Sequence, residues 1–265
     1  MMRKNIFDIQ NKKGKQPIIS VSAYSYPIAK ILDNYCDIIL VGDSLAMAIY
    51  GMKDTLSVSL DMMINHTKAV VAATKTALVI VDMPFGSYEQ SPSQAFESAA
   101  KIISATGANA VKLESGEIMA PTIEFLVQRG IPVMGHIGLL PQHINKIGGY
   151  KIQGKSDKEQ KQIMEDALKI QDAGAFALVI EGVVKNLAEK ITQKLSIPTI
   201  GIGASQQCDG QILVIDDLLG LNQEFKPKFV KNYAHIAEEI KKAVEIYARE
   251  VLERKFPGKE HCFED

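Results

Sequence analysis

The stretch LVIVDMP at residues 78–84 predicts how this chain folds. Four consecutive aliphatic residues, three of them β-branched, are typical of a strand buried on both faces of a parallel sheet. The aspartate and the proline that follow mark the end of the strand. Runs of the same kind recur along the chain and make eight in all: Ile18–Ala23, Asp37–Gly42, Leu78–Asp82, Ala110–Glu114, Pro132–His136, Ala177–Glu181, Pro198–Gly201 and Ile212–Asp216.

Helical patterns occupy the stretches between these runs and are long enough for crossover helices. Ser91 followed by Pro92 marks the start of one helix, and Ser156 with Glu159 forms a capping box at the start of another. Eight strand–helix units in 265 residues predict a (β/α)8 barrel. The alternative is a doubly wound open sheet, which usually carries G-x-G-x-x-G after its first strand, and no such motif stands there. The helices are predicted at Asp61–Thr74, Ser93–Thr106, Met119–Arg129 and Glu159–Ala173.

Length and composition favour one domain over residues 1–265, with an N-terminal extension and one long amphipathic helix from Tyr233 on. The formal net charge of −1 lacks the basic excess expected of a nucleic-acid-binding protein. No apolar run reaches the roughly 18 residues of a membrane span. The three scattered cysteines fit a reducing compartment, so we expect a cytoplasmic protein.

Four of the predicted strands end in a carboxylate, namely Asp43, Asp82, Glu114 and Glu181. In (β/α)8 barrels the active site lies at the C-terminal ends of the strands, so these side chains should converge at one mouth. In the fourth strand, Lys112 and Glu114 share the face opposite to Val111 and Leu113, and we expect them to point into the barrel. An internal salt bridge that fills the barrel is the structural alternative for this pair.

The pair Asp43 and Asp82 follows adjacent strands, and two acids this close repel each other unless a proton or a cation lies between them. Oxygen ligands of this kind suit Mg²⁺ or Mn²⁺ better than Zn²⁺. Each aspartate could instead be a simple turn residue. Glu181 has no obvious basic neighbour in the pattern, so its pKa should be raised, which suits a general base. For His136 we favour a supporting hydrogen-bonding role beside the site.

Nine sequence motifs, in the same order along the chain as in the family, resemble the ketopantoate hydroxymethyltransferases. The resemblance runs from about Ile18 to Tyr247. They are VGDSLAM (41–47), DMPFGSY (82–88), AVKLE (110–114), GIPVMGHIGL (130–139) with Pro141-Gln142, GGYKIQGK (148–155), AGAFALVIEG (173–182), IPTIGIGA (197–204), CDGQILV (208–214) and PKFVKNY (227–233).

The resemblance implies a barrel of the phosphoenolpyruvate mutase and isocitrate lyase group. It implies transfer of a one-carbon unit from 5,10-methylenetetrahydrofolate to 3-methyl-2-oxobutanoate, with one Mg²⁺ per subunit, in cytoplasmic pantothenate and coenzyme A biosynthesis. Family members are commonly homodecamers, and small-molecule substrates are the other partners expected. Matched position by position, the metal-binding residues are Asp43, Asp82 and Glu114, the substrate-binding residues are Asp43, Ser44, Asp82 and Lys112, and the proton acceptor is Glu181.

Five positions depart from the usual family pattern: Ala46, Ser115, Leu140, Val184 and Ser205. None is a predicted metal ligand or base. Leu140 and Ser205 are expected to line the mouth, so they bear on contacts to the folate and not on the reaction. The residue chemistry alone leaves two alternatives open. One is another Mg²⁺-dependent lyase or aldolase that acts on 2-oxo acids, including a Schiff-base variant that uses Lys112. The other is a non-catalytic barrel that binds a metabolite.

Overall fold

Eight parallel strands close into a barrel in the computed structural model, which describes residues 3–114, 116–223 and 226–263. The strands pair in chain order, and β1 pairs with β8 to close the ring. The predicted (β/α)8 architecture is therefore confirmed. The strands are β1 Ile18–Ser22, β2 Ile38–Val41, β3 Leu78–Asp82, β4 Ala110–Lys112, β5 Val133–Gly138, β6 Ala177–Glu181, β7 Thr199–Ile202 and β8 Gly210–Leu213.

Helices fill most of the connections, in line with the expected alternation. They are α1 Ile6–Gln10, α2 Tyr26–Leu32, α3 Leu45–Tyr50, α4 Leu60–Ala73, α5 Pro92–Thr106, α6 Ala120–Gln128, α7 Ile144–Ile147, α8 Asp157–Asp172, α9 Lys185–Lys194, α10 Ile215–Leu219 and α11 Ile236–Leu252. The described residues also contain 3₁₀ turns at Glu117–Met119, Pro141–His143 and Lys259–His261.

Helix starts follow the predicted caps. The Ser91 side chain accepts a hydrogen bond from the N–H of Gln94, and Pro92 is the first residue of α5. At α8, Ser156 and Glu159 form both hydrogen bonds of the capping box. Such caps satisfy backbone donors that the first turn leaves without partners.

The eighth strand was predicted too late in the sequence. It covers Gly210–Leu213 instead of Ile212–Asp216, and α10 begins at Ile215. The reason is a close approach of two backbones, because a Cβ at position 210 would lie 2.5 Å from the carbonyl oxygen of Ile18. Glycine is therefore needed inside this strand, where the apolar pattern alone gives no signal. Residues 203–209, between β7 and β8, contain no helix, so one predicted strand–helix unit lacks its helix.

The interior of the barrel is aliphatic. Alternate strand residues such as Leu78, Ile80, Ala110 and Val179 form one buried cluster, which Ile9 of α1 joins. Two other members, Ile18 and Phe176, lie where β1 and β6 begin, so α1 covers the N-terminal end of the barrel. This arrangement leaves the opposite end, where the strands finish, available for a site.

The chain divides into two compact units, Met1–Val214 with the barrel and Ile215–Asp265 with α10 and α11. The expectation of one domain over residues 1–265 therefore stays a prediction. In the second unit, the long helix begins at Ile236 and not at Tyr233, and its apolar stripe is exposed, including Val244 at 58% and Tyr247 at 55%. Across the described residues, no helix combines the length and apolar character that a membrane crossing requires.

Candidate active site

The polar residues at the mouth follow the inward-facing core residues of the strands. On β3, Leu78 and Ile80 belong to the core cluster, and Asp82 is the next residue on the same face. On β6 the same alternation leads from Val179 to Glu181. Because successive side chains of a strand point to opposite faces, both carboxylates project into the end of the barrel where the strands finish.

On β4 and β5, an inward-facing core residue is followed on the same face by a side chain that carries nitrogen. Lys112 follows the core residue Ala110 on β4, and His136 follows the core residue Met134 on β5. Both polar side chains are buried, as are Asp43 and Glu114. The strand ends therefore bring together all the residues that the sequence argument selected for the mouth.

A buried ion pair joins Lys112 and Asp82, whose Nζ and Oδ1 atoms lie 2.8 Å apart. The Oδ2 atom of Asp82 accepts a hydrogen bond from the backbone N–H of Asp43 at 3.1 Å. Burial alone would lower the pKa of Lys112, but the charges of Asp82 and Asp43 outweigh it and raise the pKa. The salt bridge considered from sequence would join Lys112 to Glu114, but the ion pair that the structure shows joins Lys112 to Asp82 instead.

Two residues that the sequence argument did not select, Tyr88 and Gln142, contact these acids. The Gln142 amide donates to Asp43 Oδ2 at 2.9 Å, and the Gln142 backbone N–H donates to both oxygens of Glu114 at 3.0 and 3.1 Å. The Tyr88 hydroxyl donates to Gln142 Oε1 at 2.6 Å. Burial, followed by the charge of Asp43, raises the pKa of Glu114 well above its usual value, against the opposing effects of Lys112 and the Gln142 N–H.

Ser44 lies on the other side of Asp43, at the start of α3. Its hydroxyl is 2.7 Å from the Tyr24 hydroxyl, which in turn is 3.0 Å from the Ser22 hydroxyl. This chain of hydroxyls orients Ser44 toward the mouth side of β1 and β2. Tyr24 could not be selected from sequence, because nothing in the residues around it distinguishes it from an ordinary residue at the end of a strand.

His136 connects the ion pair to Glu181. Lys112 Nζ lies 3.4 Å from His136 Nδ1, and His136 Nε2 lies 3.2 Å from Glu181 Oε2. Burial lowers the pKa of His136 well below its usual value, and the Lys112 charge adds to this effect. The ring is therefore neutral at neutral pH. Because an ammonium group can only donate, Nδ1 accepts and Nε2 carries the proton that faces Glu181.

Glu181 has the titration expected of a base that works near neutral pH. Burial raises its pKa to about 7, and the Lys112 charge opposes the rise. Its side chain keeps 17% exposure, so it borders the open part of the mouth. A carboxylate with such a pKa accepts a proton more readily than an ordinary glutamate does.

The donor atoms at this mouth fit a hard divalent cation. In the described part of the chain, no group of three or more His, Cys, Asp or Glu side chains is close enough to hold an ion. Mg²⁺ needs only one or two carboxylates, because water and substrate oxygens complete its octahedron. Asp43 and Asp82 supply two. The space beside them depends on glycine, since a Cβ at Gly42 would lie 2.9 Å from Ser44 Oγ and 3.4 Å from Asp82 Oδ2.

A cavity of about 630 Å³ lies between the end of β5 and α8. Its lining includes Gly138, which pairs with Glu181 in the sheet register. It also includes Leu140 and, from α8, Asp166. This volume lies within the range of small-molecule sites.

The positions that depart from the family pattern lie away from the carboxylates or in supporting contacts. Ala46 is buried in α3, Val184 precedes α9, and the Ser205 hydroxyl donates to Glu189 at 2.9 Å. Leu140 lines the cavity. Ser115 lies outside the described residues.

Comparison with known structures supports the barrel class. The fold is similar to phosphonopyruvate hydrolase in complex with oxalate and Mg²⁺, with a TM-score of 0.63, 11% identity and coverage of 97% of this chain and 93% of that chain. It is also similar to 2,3-dimethylmalate lyase, a member of the phosphoenolpyruvate mutase and isocitrate lyase superfamily, with a TM-score of 0.60, 16% identity and coverage of 96% and 85%. These likenesses confirm the expected barrel fold.

Sequence comparison is more specific. The profile of the ketopantoate hydroxymethyltransferase family matches residues 3–259. A 3-methyl-2-oxobutanoate hydroxymethyltransferase from Brucella canis is 56% identical over 255 residues, which cover 96% of this chain and 93% of the relative. The barrel, the acids at its mouth and this identity over nearly the whole length agree, and the chain belongs to the ketopantoate hydroxymethyltransferase family and is a hydroxymethyltransferase.

Proposed function

We propose that the mouth transfers a hydroxymethyl group from 5,10-methylenetetrahydrofolate to 3-methyl-2-oxobutanoate, with one Mg²⁺ per subunit. The product is 2-dehydropantoate, for pantothenate and coenzyme A biosynthesis. The observation that carries the proposal is Glu181, a carboxylate with a pKa of about 7 beside a buried lysine and three further acids. This set combines a base with groups that bind a 2-oxo acid and a cation.

Asp43 and Asp82 would hold the cation, and Glu114 would reach it through water. When bound, Mg²⁺ supplies Lewis-acid stabilisation of the negative charge that develops on the ketone oxygen. The phosphonopyruvate hydrolase of similar fold binds Mg²⁺ together with oxalate, whose adjacent oxygens resemble those of a 2-oxo acid enolate. That likeness supports the proposal for this mouth.

Lys112 and Ser44 orient the 2-oxo acid. The Lys112 ammonium donates to a substrate oxygen, where it offsets charge in a site that excludes most water. The Ser44 hydroxyl, held by Tyr24, donates to the substrate carboxylate. A Schiff-base role for Lys112 is disfavoured, because its raised pKa keeps it protonated and an amine nucleophile must be neutral.

Glu181 removes the proton from C3 of the substrate, and the electron pair of that C–H bond forms the enolate. The nucleophilic C3 then forms a bond to the one-carbon unit, and C3 becomes quaternary. The two C–N bonds that join this carbon to N5 and N10 of the donor break, and one water supplies the hydroxyl group. The C3 proton and the second proton of the water end on these two nitrogens, so the donor leaves as tetrahydrofolate. The transferred carbon enters at the oxidation level of formaldehyde, so the step needs no external oxidant or reductant.

The donor would occupy the cavity between the end of β5 and α8. Gly138 lines the cavity and pairs with Glu181 in the sheet, so a donor bound there would approach C3 from the side of that base. Asp166 could accept from the paired N–H groups of a 2-amino-4-oxopterin ring. Its Oδ1 already accepts from the Glu117 N–H at 2.8 Å, which holds the carboxylate in place.

A homodecamer in the cytoplasm completes the proposal. The exposed apolar stripe of α11 suits burial between copies of the chain, since large exposed apolar patches mark interfaces. The three cysteines form no disulfide, as a reducing compartment requires. Light scattering on the purified protein measures the number of copies directly.

An assay with 3-methyl-2-oxobutanoate and 5,10-methylenetetrahydrofolate tests the proposed reaction, with Mg²⁺ present and after its removal by chelation. We expect 2-dehydropantoate only with all three components. Product formed at the full rate after chelation would contradict the role of the metal, and no product under any condition would contradict the reaction.

A further inference from the structure

The side chain of Gln142 has a hydrogen-bond partner for each of its polar groups. Its Nε2 donates to Asp43 Oδ2 at 2.9 Å and to the carbonyl oxygen of Met83 at 3.0 Å, and its Oε1 accepts from the Tyr88 hydroxyl at 2.6 Å. The residue is only 4% exposed. A buried amide with these partners has little freedom to rotate.

Tyr88 decides which way this amide points. Its hydroxyl accepts from the backbone N–H of Glu114 at 3.2 Å, so its own hydrogen is available for Gln142 Oε1. With the oxygen of the amide assigned to Tyr88, the NH₂ group must face Asp43 and Met83. The tyrosine is itself 1% exposed, so the surrounding packing holds it.

Gln142 and Tyr88 together contact both Asp43 and Glu114. Gln142 reaches Asp43 through its side chain and Glu114 through its backbone N–H, while Tyr88 reaches the backbone of Glu114. Charge-assisted hydrogen bonds of this kind are stronger than neutral ones and fix the carboxylate plane. Neither Tyr88 nor Gln142 has a charge or a reacting atom of its own.

We propose that Gln142 and Tyr88 are positioning residues that hold Asp43 and Glu114 in the geometry a divalent cation needs. This inference rests on the proposed function, because it assigns the cation to this mouth. Without the amide, Asp43 can turn away from Asp82 and the two acids no longer share one ion. Removal of hydrogen-bonding partners behind metal ligands typically costs about 10–100-fold in metal affinity or activity.

Three variants test the proposal. Gln142→Met keeps the length of the side chain and removes the side-chain hydrogen bonds to Asp43, Met83 and Tyr88, while the backbone N–H still donates to Glu114. Tyr88→Phe removes one hydroxyl, and the double variant combines the two changes. Tyr35→Phe is the matched control, because Tyr35 is 72% exposed. Electron paramagnetic resonance measures Mn²⁺ binding to the protein without substrate, thermal melting reports folding, and kcat is measured over a series of Mg²⁺ concentrations.

We expect each single variant to weaken Mn²⁺ binding by about 10-fold or more. The double variant should match the weaker-binding single variant instead of adding to it, because the two residues act through one amide. Higher Mg²⁺ should recover turnover in the variants, and the control should bind Mn²⁺ as the wild type does. If Gln142→Met does not fold, the Mn²⁺ affinity of Tyr88→Phe, which loses only one hydroxyl group, tests the proposal by itself.

Mn²⁺ affinities within twofold of the wild type in folded variants would overturn the positioning role and leave the proposed reaction intact. Fully additive losses in the double variant would overturn the idea that the two residues act as one unit. A wild-type protein that binds no Mn²⁺ would overturn the metal part of the proposed function, and the positioning role with it.

Discussion

The imidazole of His136 and the carboxylate of Glu181 face each other, with Nε2 and Oε2 3.2 Å apart. The sheet register explains the contact, because His136 pairs with Val179 and Glu181 lies two residues further on the same face of β6. Since the ring is neutral, Glu181 faces an uncharged imidazole and not a second positive charge. Its pKa therefore stays near that of a base suited to neutral pH.

Glu181→Gln should abolish proton abstraction and leave the fold intact. The amide has the shape of the carboxylate but cannot accept the C3 proton. We expect loss of deuterium exchange at C3 of 3-methyl-2-oxobutanoate in D₂O, measured by proton NMR without tetrahydrofolate and with Mg²⁺. Wild-type exchange rates in this variant would exclude Glu181 as the base.

The exchange rate should rise with pH and then level off. Glu181 works in its ionised form, so activity is low below its pKa of about 7 and high above it. Lys112 and His136 face the carboxylate, and a bound cation adds further positive charge that favours ionisation. At saturating Mg²⁺ the midpoint should therefore fall at or below pH 7. A rate that does not change across the range from acid to mild alkali would contradict this assignment.

The acids of the mouth could be predicted from sequence because they obey local rules. Asp82, Lys112 and Glu181 each lie two residues after an inward-facing apolar residue, so strand alternation alone places them. Tyr88 and Gln142 lie in turns beyond strand ends, and their contacts depend on how loops after β3 and β5 meet. The eighth strand was misplaced for a similar reason, since Gly210 pairs with Ile18, far away in sequence.

Asp82→Asn should remove Mg²⁺ binding and turnover together. The variant loses the charge of one proposed ligand, and it also leaves Lys112 buried without its ion-pair partner. Breaking such a pair typically costs about 3–5 kcal/mol of stability, so melting temperature must be recorded beside titration calorimetry with Mg²⁺. Asp61→Asn is the control, because its ion pair with Lys101 is exposed. Unchanged Mg²⁺ affinity in folded Asp82→Asn would refute the ligand assignment.

Asp166→Asn should separate donor binding from proton abstraction. Asparagine keeps the Oδ1 acceptor for the Glu117 N–H but loses the charge proposed to bind the pterin. The KM for 5,10-methylenetetrahydrofolate should rise about 10-fold, as expected for one lost charge-assisted hydrogen bond. Deuterium exchange at C3 needs no donor and should stay at the wild-type rate. Asp172→Asn, an exposed position on the same helix, is the control, and an unchanged KM in Asp166→Asn would argue against this cavity as the donor site.

Asp33→Asn should lower stability without affecting the chemistry, because Asp33 lies at the opposite end of the barrel. Its carboxylate accepts from the backbone N–H groups of Lys75, Thr76 and Ala77 at 2.8–2.9 Å, just before β3 begins. Burial by itself would raise the pKa of Asp33, but these hydrogen bonds outweigh it and lower the pKa below its usual value.

The sign of the pH dependence follows from that lowered pKa. A group whose pKa is lower in the folded state stabilises the fold above its unfolded-state pKa of about 3.9, and this contribution disappears as pH falls through the folded-state pKa. Urea denaturation should therefore show a deficit of about 1–3 kcal/mol for the variant at neutral pH. The deficit should shrink as pH is lowered toward about 3. A deficit that is constant with pH would mean that packing, and not the ionised carboxylate, accounts for the loss of stability. Deuterium exchange at C3 should match the wild type at neutral pH, because Asp33 lies far from the mouth.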